Sequence, residues 1–179
     1  FIRTLQAILA SILLFTGPVR AQYSTIEAAN YHKALELYES ANYIAAEKLF
    51  SDLIVQTDPN SPEQFDFQYY RLMSLVKQNK RSAETEVTNY LAQVTNSPWN
   101  SQLWFEMAKL QYQNRKFAIA ARTFDKVDAS NLKGRDLEDF RFFKGYSNFE
   151  AGNTDKAKQA FFEIKSTQSM YARTAGYYW

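Results

Sequence analysis

Four alanines, Ala46, Ala83, Ala120 and Ala157, follow one another at equal steps of 37 residues, and each has a residue with apolar bulk four and seven positions later. The triplets are Ala46/Phe50/Leu53, Ala83/Val87/Tyr90, Ala120/Phe124/Val127 and Ala157/Phe161/Ile164. Positions 0, +4 and +7 share one face of an α-helix. A helical face that returns at a fixed period of roughly 20–50 residues marks stacked supersecondary units, each burying its apolar side against the next. Ala46, Phe50, Ala83, Val87, Ala120, Phe124, Ala157 and Phe161 are therefore the structural signature of the repeat, expected in the core.

The register divides the chain into units at about 27–63, 64–100, 101–137 and 138–174, with a fifth begun. Each unit reads as two helices. Unit 1 predicts helices over 25–40 and 43–56, ended by Asp58-Pro59-Asn60-Ser61-Pro62, since prolines cannot continue a helix. Unit 2 is the most degenerate copy, with Val87 where the others carry phenylalanine; Tyr69, Tyr70, Leu72, Met73, Leu75 and Val76 form one apolar face, and Val87, Tyr90, Leu91 and Val94 a second. In unit 3 a helix follows Pro98, and its partner runs from Phe117 to about Val127. Unit 4 predicts helices from about Asp136 to Glu150 and on to Lys165, with Thr154 as the N-cap of the second. Aromatics are abundant (14 Phe, 12 Tyr, 3 Trp) and Gly and Pro scarce (5 and 4), which suits long helices and short turns. The expected class is all-α.

The first residues read as a signal peptide: an apolar run from Leu5 to Phe15, a Gly17-Pro18 break, and Val19-x-Ala21 ahead of an expected cleavage before Gln22. The run is too short to span a bilayer. Cleavage would remove Arg3 and Arg20 from 21 basic residues and nothing from 19 acidic ones, taking the net charge from +2 to zero. No basic block remains to neutralise a run of phosphates, so nucleic acid is not an expected partner. With no cysteine, an exported chain relies on packing alone for stability.

These residues resemble the tetratricopeptide repeat, whose two-helix unit carries an aromatic and a small residue on its first helix and Ala-x3-Phe on its second. Unit 3 carries the pattern best, through Trp104, Met107-Ala108, Phe117, Ala120 and Phe124; unit 4 matches through Gly145, Gly152, Ala157 and Phe161, and unit 1 through Ala34, Tyr43, Ala46 and Phe50. The resemblance implies a right-handed α-solenoid of about four units plus the start of a fifth, over 22–179. It also implies a concave groove lined by the first helix of each unit, which places Tyr31, Leu35, Phe65, Leu72, Phe105, Lys109, Phe142 and Tyr146 on or near it. The family's first-helix tyrosine slot falls on Leu37, Ser74, Gln111 and Asn148, with Tyr38, Leu75, Tyr112 and Phe149 one position later. The first helices thus depart from the family register.

Chemistry is sparse. His32 is the single histidine, without the further ligands a metal site needs. Asp136, Glu138 and Asp139 read as acids complementing a helix N-terminus, and Lys109, Lys116, Lys156 and Lys158 as solvated faces. No catalytic residue, metal, cofactor or small-molecule substrate is expected. The function expected from the resemblance is a non-catalytic scaffold of the bacterial cell envelope, periplasmic or associated with the outer membrane, that binds partner proteins or peptides in the groove. The alternative is an N-terminal adaptor of a larger protein whose following part is enzymatic, peptidoglycan-binding or membrane-anchoring. Gly176-Tyr177-Tyr178-Trp179 falls within the expected first helix of unit 5. Contact with a membrane is expected only through the leader or such a following region.

Overall fold

The computed structural model describes residues 25–179, so the signal peptide read in 1–21 lies outside the described residues. Among the described residues nine α-helices follow in order: α1 (Thr25–Glu39), α2 (Tyr43–Gln56), α3 (Glu63–Lys77), α4 (Ala83–Gln93), α5 (Asn100–Gln113), α6 (Phe117–Phe124), α7 (Gly134–Glu150), α8 (Thr154–Lys165) and α9 (Ala172–Tyr178). Successive pairs form four helical hairpins, and α9 packs against α8. Among the described residues there is no strand.

The four hairpin turns are closed in the same way. One residue in each, Ala41, Asn79, Arg115 or Gly152, takes the left-handed conformation, with φ of 60°, 51°, 58° and 79° respectively. The following amide reaches back to a carbonyl five residues earlier: Asn42 to Leu37, Lys80 to Leu75, Lys116 to Gln111 and Asn153 to Asn148, at 2.8–3.1 Å. This closure satisfies carbonyls that the helix end leaves without partners.

Each helix packs on the next along the chain, and α3, α5 and α7 also touch in a row. The four alanines lie on α2, α4, α6 and α8 and are at most 1% exposed, and Phe50, Val87, Phe124 and Phe161 are wholly buried. Burying a phenylalanine contributes about 2–3 kcal/mol. The small alanine lets the helices approach closely enough for the +4 side chain to fill the space between them. Gly145 on α7 does the same from the opposite side, because a Cβ built there would stand 3.0 Å from the Phe161 ring and 3.1 Å from the Ala160 methyl. The packing is consistent with a helical repeat.

Several boundaries differ from the sequence reading. Helix α6 stops at Phe124, short of Val127, because the chain turns into a 3-10 segment at Ala129–Asn131 that Asp128 caps by accepting from the Ser130 amide at 3.0 Å. Val127 is buried all the same, packed in the Phe105/Phe124/Phe140 cluster. Asn153, not Thr154, stands at the N-cap position of α8; its amide donates to Asn148 Oδ1 at 3.1 Å, tying the turn to α7. Helix α7 begins at Gly134, so only Asp136 of the three acids lies in its first turn.

Polar side chains fill three matching positions on the first helices. Ser74, Gln111 and Asn148 are buried polar side chains. The Ser74 hydroxyl donates to the Tyr70 carbonyl, the Gln111 amide to Glu84, and the Asn148 amide to the Lys144 carbonyl. These bonds compensate for the burial. Tyr38 and Tyr112, one position on, instead pack edge-on against Tyr43 and Phe117 at the start of the paired helix.

Candidate functional site

The residues assigned to a groove fall into two groups. Leu72, Phe105 and Phe142 are buried in the helix packing: Leu72 in the cluster with Val87 and Met107, Phe105 against Phe124 and Phe140, and Phe142 stacked on Tyr171 at 4.3 Å. Tyr31, Leu35, Phe65, Lys109 and Tyr146 keep part of their surface in solvent. Tyr31 and Leu35 flank the first-hairpin core, and Tyr146 packs between Tyr112, Phe117 and Tyr178.

Lys109 belongs to a chain of charges that crosses the row of first helices. Glu106 on α5 is 6% exposed, and its carboxylate accepts from Lys77 on α3 at 2.8 Å and from Lys109 at 3.3 Å. Lys109 also stands 4.0 Å from Asp139 on α7 and lies over the Phe105 ring at 4.9 Å. Asp139 in turn accepts from Arg135 Nε at 2.8 Å and from the Tyr171 hydroxyl at 2.7 Å. Asp139 is therefore not a dipole-complementing acid in an exposed first turn; it is the buried joint between α5, α7 and the segment leading to α9. Burial, and then the bond to Asp139, raises the Tyr171 phenol above its ordinary pKa. Burial followed by nearby negative charge, including Glu106, also pushes up the phenols of Tyr38 and Tyr69. All three stay protonated and can donate.

Beside this chain of charges a cleft of about 290 Å³ opens between α3 and α5, with Lys77, Glu106 and Lys109 among its walls and Val76 and Leu110 as apolar contacts. Each ammonium has more N–H groups than its ion pairs use. The cleft can therefore offer donors to a polar ligand while its apolar walls take a side chain.

A second set of ion pairs joins neighbouring hairpins at their turns. Lys80 pairs with Glu47, and Lys116 with Glu84, each at 2.5 Å. In both cases the acid directly follows a signature alanine. At the third junction Ala121 takes that position, and the pairing moves to Asp125, held by Lys144 at 2.8 Å and Lys156 at 3.0 Å. Lys116, Lys156 and Lys158 are exposed, the first two while pairing with neighbouring acids, whereas Lys109 is half-buried among its partners. His32 is also exposed, with its ring 6.2 Å from that of Tyr31.

The Lys77–Glu106 pair had no signal in the sequence, because its two members come from different helices, whereas Arg135 with Asp139 and Glu106 with Lys109 are pairs one helical turn apart. Among the described residues no group of three His, Cys, Asp or Glu is arranged to hold a metal ion, and no helix is long and apolar enough to cross a membrane. Compared with family models, curated proteins and solved structures, the chain matches none.

Proposed function

We propose that this chain is a tetratricopeptide-like scaffold of the bacterial cell envelope that holds partner proteins along the face formed by its first helices. The observation that carries this reading is the row α3, α5 and α7, whose shared face combines partly accessible Lys109 and Tyr146 with a cleft between α3 and α5. Stacked helical hairpins give a rigid surface that needs little ordering when a ligand binds. Lys109 and Tyr146, rather than the buried Leu72, Phe105 and Phe142, are the contacts assigned to that surface. The right-handed solenoid and its 37-residue period rest on the four buried alanines together with the resemblance. The envelope location rests on the apolar leader read in residues 1–21.

Photo-crosslinking in intact cells tests the proposal. A benzophenone side chain at position 109 or 146 is expected to give discrete protein adducts, and the same group in place of the outward-facing Val55, 85% exposed on α2, is expected to give none. Identical adduct patterns from all three positions would refute a specific binding face.

A further inference from the structure

The second and third hairpin turns carry positive charge that the first and fourth do not. Turn two reads Lys77-Gln78-Asn79-Lys80-Arg81 and turn three Asn114-Arg115-Lys116, whereas turn one is Ser40-Ala41-Asn42 and 150–155 holds Glu150 and Asp155 with no base. All four share one backbone closure, so the turn itself demands no charge. The helix dipole accounts for Lys77 in the last turn of α3. It works against Arg81 and Lys116, which lie just ahead of the positive ends of α4 and α6, while Arg115 stands midway between the negative end of α5 and the positive end of α6. Glu47 and Glu84 offset Lys80 and Lys116. Among the described residues neither Arg81 nor Arg115 pairs with an acid, and both are exposed.

Arg115 also sits at φ 58°, a conformation that disfavours any residue with a Cβ and that glycine occupies in the fourth turn. Folding alone would favour glycine there. The two basic turns are fastened side by side, since Asn114 Nδ2 donates to Asn79 Oδ1 at 3.0 Å and Asn79 Nδ2 to Asn114 Oδ1 at 3.4 Å. Asn79 is also a wall of the cleft between α3 and α5. Arg81 follows Asn79 by two residues and Arg115 follows Asn114 directly, so both arginines belong to the fastened turns next to a cleft that presents Lys77 and Lys109.

We propose that this edge is the docking surface for an acidic segment of a partner protein, with side-chain carboxylates on Arg81 and Arg115 and an intervening apolar side chain against Val76 and Leu110. The inference rests on the scaffold reading and names the chemistry of the partner. A peptide fits better than an anionic membrane, because residues 77–82 and 113–116 are polar throughout and offer nothing to insert among acyl chains.

The test is fluorescence anisotropy with a labelled peptide alternating Glu and Leu, a charge-reversed Lys/Leu peptide, and phosphatidylglycerol vesicles as the competing surface. The Glu/Leu peptide is expected to bind, to weaken as salt is raised, and to lose roughly tenfold or more in affinity for the double variant Arg81→Ala/Arg115→Gly. That variant is expected to melt no lower than the parent, because glycine relieves the left-handed turn, so the loss will not reflect misfolding. Equal binding by parent and variant, no binding of the Glu/Leu peptide, equal binding of the Lys/Leu peptide, or arginine-dependent binding confined to the vesicles would each overturn the inference. Adducts at 109 and 146 that persist in the double variant leave the scaffold standing, and their absence alongside intact peptide binding refutes the scaffold alone.

Discussion

Lys77 and Glu106 lie 29 positions apart in the chain, yet the ammonium of one meets the carboxylate of the other at 2.8 Å, with the acid 6% exposed. The contact fixes how α3 lies against α5. Removing only the acid leaves the Lys77 and Lys109 ammoniums facing each other in a partly desolvated site, so Glu106→Ala is expected to cost about 2–3 kcal/mol. Replacing both partners, as in Lys77→Met/Glu106→Leu, is expected to recover most of that loss, because an apolar pair carries no desolvation penalty. Urea midpoints of the two variants check both expectations; a double variant no more stable than Glu106→Ala contradicts them.

Gly145 has a close-packing role that alanine cannot fill. A methyl there meets the buried Phe161 ring at 3.0 Å. Overpacking of that kind costs about 1–3 kcal/mol, against a gain of about 1 kcal/mol in helix propensity. Gly145→Ala is expected to lower Tm by a few degrees and Gly145→Val by more, measured by circular dichroism.

The turns offer a paired comparison. Ala41 and Gly152 hold equivalent left-handed positions, with φ of 60° and 79°. Ala41→Gly is expected to stabilise the fold, and Gly152→Ala to destabilise it, each by about 1 kcal/mol. Equal and unchanged melting curves for the two would mean that the turns are more pliable than their shared hydrogen bonds imply.

Acid should loosen the junctions between hairpins. Burial alone would raise the Glu47 carboxyl, but the Lys80 ammonium and the Gln78 amide outweigh it and hold the group below its ordinary value of 4.5. Lys144 and Lys156 similarly outweigh burial and hold Asp125 below 3.8. A carboxylate whose folded pKa is depressed adds stability above its unfolded value and loses it as pH falls through the folded one. Tm should therefore decline below pH 4.5 in the parent, and less steeply in Glu47→Gln. Parallel profiles would show that Glu47 contributes nothing to the decline.

The core of this fold was legible in the sequence because the signature depends on spacing within one helix. Ala46 with Phe50 and Ala120 with Phe124 lie one helical turn apart, and all four are buried. The charged face was not legible, because Lys77, Glu106 and Asp139 are neighbours only after three separate helices have been set side by side. Asp139 shows the difficulty. Its neighbours Asp136 and Glu138 suggested a helix terminus, and apart from Arg135 one turn away its partners, Tyr171 and Lys109, lie 32 and 30 positions away. Leu72, Phe105 and Phe142 were misleading in the opposite sense, since an apolar residue on a first helix can face either a ligand or the adjacent helices.

Helix α4 meets its neighbours less extensively than the other hairpin helices do. Its buried side chains are Ala83, Val87 and Leu91, with no phenylalanine among them. In a row of hairpins that touch chiefly their neighbours, cohesion is set junction by junction rather than by one shared core. Under tension, or in rising denaturant, the molecule should part first beside α4, leaving the segments on either side still folded, as a train separates at its loosest coupling.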